Sequence, residues 1–257
     1  MKAEKIPKLE SDFEVTGIDN QGKKHVLTAE SIAFNNGAEK MDYTRVKPAS
    51  GDKSFYYEDK FTKEQIIIHY TIGYLPGDVG TLTTKDNHVS VAFLIGRNGK
   101  IYNLFSSAAW SYHLGKSAVG GNEMNSKKSV GIELSNIGPL VLRNNDLMTC
   151  YKDKNGNYSD VYCSLNEKTL YVKQTYRNFE YYATYTPEQY KSLVILLRYL
   201  TNRYNIPREF ISLPERFDTI QTVPGFKGIV THVNYRTDKV DIGPAFDWDG
   251  VINGVKA

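Results

Sequence analysis

QIIIHYT, residues 65–71, is a continuous apolar run rich in β-branched residues, without polar alternation. That is the pattern of a short strand covered on both faces, and it places this segment centrally in a sheet. The run closes on His69, and a polar ring at the end of a buried strand calls for a hydrogen bond, a metal or catalysis. Taken alone, His69 reads as a satisfied core histidine.

Outward from this strand, HVSVAFLI (88–95) and KIYNLF (100–105) read as two strands joined by Gly96, Arg97, Asn98 and Gly99, a hairpin with an Asn-Gly turn. SVGIELSN (129–136) alternates Val130, Ile132 and Leu134 with Gly131, Glu133 and Ser135, so Glu133 points away from the apolar face. Thr186, Pro187, Glu188 and Gln189 form a capping box with proline at the first helical position. Tyr190, Leu193, Val194, Leu197 and Leu200 continue at helical spacing to about Tyr204. Strands mixed with helices predict an α/β (α+β) fold, a central mixed β-sheet flanked by helices.

Two regions stand outside this pattern. Residues 1–60 are polar and turn-rich, with FEVTGIDNQGKKHVLT (13–28) reading as a hairpin around Asn20, Gln21 and Gly22, and KPASGDKS (47–54) as a linker. They are expected to form a small N-terminal β appendage to a domain spanning 61–257. Residues 137–185 read as an insertion carrying a hairpin between Cys150 and Cys163. A turn at Gly156-Asn157 sets the cysteines opposite one another, where an oxidising compartment would pair them, whereas an Asn155-Gly156 turn makes them miss by two positions.

Composition narrows the classes. Of 257 residues 40% are hydrophobic and 24% charged, ordinary globular usage that argues against disorder or a fibrous repeat. The net charge of +3 is scattered rather than gathered on one face, which speaks against nucleic acid as a partner. The most apolar segment, SLVILLRYL (192–200), is broken by Arg198 and falls short of the roughly 20 residues a bilayer needs, so no transmembrane span is expected. The N-terminus shows no apolar signal-peptide region, and a removed signal would read the same.

The chemistry concentrates in THVNYRTDKVDIGPAFDW, residues 231–248. His232 and Asp241 could share a metal ion, form a surface ion pair or have no joint role. Together with His69 they make two imidazoles and one carboxylate, a full protein set for an open catalytic zinc site that keeps a fourth position for water. The two cysteines lack the spacing of a closed structural site, and no H-E-x-x-H helix is present.

The order IIIHYT, HVSVAFLIGRNGKIYNLF, SYHLG, SVGIEL and THVNYRTDKVDIGPAFDW resembles the type 2 N-acetylmuramoyl-L-alanine amidase family, whose fold peptidoglycan recognition proteins and amidase-type phage lysins share. The likeness covers about residues 62–250, and residues 1–60 have no counterpart. It implies Zn2+ held by His69, His232 and Asp241, a catalytic lysine at Lys239, and Glu133 as general base. The tyrosine that other members use instead falls on Val91 here.

SYHLG resembles the family's A-W-H-A-G motif, which implies that His113 contacts substrate. Tyr112 stands in place of the tryptophan and Trp110 two residues earlier, and both are assigned to the same groove. The implied reaction is zinc-dependent hydrolysis of the amide between N-acetylmuramic acid and L-alanine, in peptidoglycan or muropeptides. The alternative is a recognition module that binds peptidoglycan without cleaving it. Animal members of that kind often lose the third ligand, and Asp241 is a competent one. A monomer working in a periplasmic or extracellular cell-wall compartment, or delivered by a phage, is the expected setting. Phe246, Asp247 and Trp248 are expected to pack beneath the metal loop.

Overall fold

The structure, a computed structural model, describes residues 2–257. In chain order it contains α1 (Lys2–Thr16), β1 (His25–Phe34), β2 (Glu39–Pro48), β3 (Gln65–Tyr70), α2 (Leu75–Leu82), β4 (Phe93–Ile95), β5 (Ile101–Asn103) and α3 (Asn122–Lys128). There follow β6 (Ser129–Leu134), β7 (Pro139–Arg143), β8 (Asp146–Thr149), β9 (Val161–Ser164), β10 (Tyr171–Tyr176), β11 (Phe179–Ala183), α4 (Pro187–Tyr204), β12 (Gly228–Thr231), α5 (His232–Tyr235) and α6 (Trp248–Lys256).

The main sheet runs β1-β2-β5-β4-β6-β3-β12. Strand β3 pairs in parallel with β6 on one side and β12 on the other, and β4 pairs in parallel with β6. The β4/β5 hairpin is antiparallel and turns at Gly99, whose φ of +82° suits glycine. This is the mixed sheet expected, and every residue of β3 is buried.

The two-residue repeat of a strand sorts the side chains. Ile66, Ile68, Val130, Ile132, Leu134 and Ile229 enter the large core, which helix α4 covers with Leu193, Leu196, Leu197 and Leu200. Ile67 and Val230 enter a smaller core on the opposite face, with Leu114 and Tyr235. His69, Glu133 and His232 follow Ile67, Gly131 and Val230 by two residues. They therefore leave the sheet on that thinner side, at the carboxyl ends of three adjacent parallel strands, the edge where open α/β sheets bind ligands.

The expected capping box starts α4. Thr186 Oγ1 accepts the Gln189 N–H at 3.1 Å, and Gln189 Oε1 accepts the Thr186 N–H at 3.2 Å. Gln189 Nε2 also donates to Ser135 O at 3.0 Å, tying the helix to the end of β6.

The first 60 residues differ from expectation. Residues 2–16 form a helix, and the turn at residues 19–22 closes only an isolated bridge between Ile18 and Lys24. The long hairpin is β1/β2, turning at residues 35–38, and β2 pairs in parallel with β5. The segment thus extends the main sheet instead of standing apart as a β appendage. Helix α1 shows weak periodicity because its inward positions are Ile6, Glu10 and Phe13, all buried. Glu10 is accommodated there by accepting the N–H groups of Arg97 at 2.7 Å and Asn98 at 2.9 Å.

The insertion builds a second sheet in the order β10-β11-β7-β8-β9. Its core holds Leu140, Leu147, Tyr162 and Tyr181, and Ile6 from α1 joins it. Cys150 and Cys163 are free. The turn closes around Asn155 and Gly156, with Asp153 N–H to Asn157 O at 2.8 Å. Cys163 stands opposite Leu147, so the cysteines miss one another. Among the described residues no helix is long and apolar enough to cross a membrane.

Candidate active site

His69 Nδ1 lies 3.0 Å from His232 Nδ1 and 3.3 Å from Asp241 Oδ2, and His232 Nδ1 lies 2.9 Å from the same oxygen. All three residues are buried. Zinc holds its ligands tetrahedrally at about 2.0–2.1 Å, which separates them from one another by about 3.3 Å. The observed triangle is close to that size before any adjustment. Among the described residues this is the one cluster of histidine, cysteine and acidic side chains close enough to hold a metal.

Protonation favours the same reading. His232 Nε2 is 3.0 Å from Leu114 O, and a carbonyl oxygen only accepts. Nε2 therefore carries a proton, which leaves Nδ1 as the ring atom turned toward the triangle. Burial, assisted by the neighbouring His232, pushes the His69 pKa down to about 4, so its ring is neutral. Burial opposes ionisation of Asp241, but His232 and His69 outweigh it and hold this carboxyl well below the usual range. Two imidazole Nδ1 atoms and one carboxylate oxygen thus face a common point, a donor set that a divalent cation could occupy.

Glu133 is in register with His69 across β3 and β6. Its Oε2 is buried without a hydrogen-bond partner. Burial first, then the charges of Asp241 and Asp78, raise its pKa well above the ordinary carboxylate range. Lys239 is partly exposed on the loop that carries Asp241. Glu133, Lys239, Asp241 and His232 all line one groove of about 870 Å³, with Tyr112 and His113 on its wall.

Trp110, Tyr112 and His113 occupy three different surroundings. Trp110 is buried, its ring stacked on Tyr57 at 4.3 Å with the Lys127 ammonium 4.8 Å from its centre, and it does not line the groove. Its aromatic face packs within the protein, away from the groove that Tyr112 and His113 line. Tyr112 is partly exposed on the groove wall. His113 has both ring nitrogens engaged inside the protein, Nδ1 at 3.0 Å from His69 Nε2 and Nε2 at 3.0 Å from Ser129 Oγ.

Two contributors have no signal in the sequence. Tyr151, from the insertion, lines the groove and donates its hydroxyl to Ile72 O. Asp78 of α2 lies buried in the groove wall and accepts from Ser135 Oγ at 2.6 Å. Phe246 and Trp248 are buried in the main core, as the sequence suggests.

The groove ends on a buried histidine and carboxylate cluster that could hold a metal ion. The model of the N-acetylmuramoyl-L-alanine amidase family matches residues 60–244, and the chain belongs to that family. Among solved structures, a selenomethionine derivative of AmpD is 19% identical with a TM-score of 0.46, covering 82% of this chain and 93% of that one. The amidase AmiD from E. coli, in complex with the substrate anhydro-N-acetylmuramic acid-L-Ala-D-gamma-Glu-L-Lys, is 23% identical with a TM-score of 0.48. That likeness covers 77% of this chain and 59% of AmiD. AmpDh3 from Pseudomonas aeruginosa with an anhydromuramic pentapeptide is 18% identical with a TM-score of 0.46, covering 77% and 61%. Comparison with curated proteins gives no significant match.

Proposed function

We propose that this chain is a zinc-dependent amidase that cleaves the bond between the lactyl group of N-acetylmuramic acid and L-alanine in peptidoglycan or muropeptides. The observation that carries this is the buried triangle of His69, His232 and Asp241, sized for a tetrahedral ion and open to a groove. The three side chains would hold the ion. Zinc would supply Lewis-acid chemistry, polarising the scissile carbonyl and easing ionisation of water near neutral pH.

The chain's own residues do the rest. Glu133, raised in pKa and without an internal partner for Oε2, accepts a proton from the attacking water. It returns that proton to the leaving L-alanine amine as the C–N bond breaks, so the products are a free carboxyl and a free amine. Lys239, on the groove wall, stabilises the negative charge that develops on the carbonyl oxygen. Tyr112 offers a hydroxyl and ring face to the bound chain. The protein acts as a monomer where cell-wall material is accessible.

The test is metal analysis of the purified protein, with mass spectrometry of sacculi digested in the presence and absence of chelator. One zinc per chain and chelator-sensitive release of stem peptides beginning at L-alanine are expected. Tight binding to sacculi without release would make the chain a recognition module, and release that persists without metal would remove zinc from the reaction.

A further inference from the structure

Resting on the zinc reading above, we propose that His113 is a positioning residue for the ligand His69, held by Ser129 and helix α3, and not a contact to substrate. Each hydrogen bond in this chain has an assignable direction. Ser129 Oγ lies 2.7 Å from Asn125 O, and the carbonyl can only accept, so the serine proton is committed there. The Ser129 oxygen is then the acceptor for His113 Nε2–H at 3.0 Å. Neutral His113 keeps a lone pair on Nδ1, which accepts His69 Nε2–H at 3.0 Å. His69 is left with its lone pair on Nδ1, the atom facing His232 and Asp241.

The packing supports a fixed ring. A Cβ added at Gly131 of β6 would fall 3.2 Å from His113 Cγ and Nδ1 and 2.7 Å from Val91 Cγ1, so glycine makes room for the imidazole on the strand. Helix α3 also holds the backbone of the same segment. Leu114 N–H donates to Asn122 Oδ1 at 3.2 Å, and Ser126 Oγ–H donates to the same oxygen at 3.0 Å while lying 3.4 Å from His113 N. The adjacent Leu114 O accepts a hydrogen bond from His232 Nε2–H at 3.0 Å. One short segment, residues 113–114, thus orients both histidine ligands, and partners of this kind are worth about 10- to 100-fold in metal affinity.

The experiment measures zinc affinity of the full chain by competition with a chromophoric chelator, together with the absorption spectrum of the cobalt(II) form and KM for a muropeptide at saturating zinc. His113→Ala should weaken zinc about 10- to 100-fold and alter the cobalt spectrum, with KM unchanged. His113→Asn, whose amide oxygen can accept from His69 Nε2–H, should recover most of the affinity. Ser129→Ala frees the His113 proton and should give a smaller loss of the same kind, which keeps the test available if His113→Ala fails to fold. Wild-type zinc affinity in both His113→Ala and Ser129→Ala, with a raised KM in the former, would overturn the proposal and return His113 to the substrate. A wild-type chain that binds no zinc would instead overturn the zinc reading itself.

Discussion

Replacing Asp241 with asparagine keeps the shape of the triangle and removes its only negative charge. In the chelated protein the change carries its own cost, because the buried carboxylate pairs with both imidazoles, and comparing the zinc-dependent rises in Tm removes that cost from the test. In the zinc-loaded protein the change removes one of three ligands. Structural zinc contributes about 10–16 kcal/mol through four ligands, so one ligand is worth about 3–4 kcal/mol, or roughly 10²- to 10³-fold in affinity. Where zinc saturates both proteins, the wild type gains about 2.7–4.1 kcal/mol more from the metal than Asp241→Asn does. At about 2–4 °C per kcal/mol for a chain of this size, the difference in Tm is about 5–16 °C. Differential scanning calorimetry of both proteins, in chelator and in saturating zinc, measures it. Equal zinc-dependent rises in Tm would refute Asp241 as a ligand, whatever the activity of the variant.

Glu133→Gln should retain zinc and lose about 10²- to 10⁴-fold in kcat, read by steady-state kinetics alongside metal content. Lys239→Ala should lose about 100-fold or more in kcat with zinc intact, and unchanged turnover would remove it from the mechanism. Burial pushes Asp78 up to about 7, opposed by its bonds to Ser135 and Thr71. An acid whose folded pKa lies above its unfolded value binds extra protons in the native state, so its contribution falls as pH rises from about 4 to about 7. Asp78→Asn should therefore be more stable than the wild type at pH 8 by up to about 4 kcal/mol, the gap closing toward pH 4. Urea denaturation at the two pH values checks this, and a gap that does not vary with pH would contradict it.

Several features are legible from residue order because they depend on local rules. A buried β-branched run, a two-residue alternation and a capping box each specify backbone shape within a few residues, and β3, β6, the β4/β5 hairpin and α4 follow them. The alternation in SVGIEL even assigns Glu133 to the face opposite Val130 and Ile132. The resemblance to the amidase family names the residues that the fold then gathers, although 163 positions separate His69 from His232.

What remained illegible depends on partners remote in the chain. Helix α1 has a poor apolar stripe because Glu10 occupies an inward position, and its acceptors, the N–H groups of Arg97 and Asn98, exist only once the β4/β5 turn has docked. The pairing of β2 with β5 and the second sheet of the insertion are settled by edges that become available after folding. Trp110 and His113 carry the same motif signal, yet one ring is packed against Tyr57 and the other lies between His69 and Ser129. Residue type sets what a side chain can donate, accept or bury. Which of these it does is set by the neighbours that tertiary packing brings within about 3 Å, a distance that spacing along the chain does not encode.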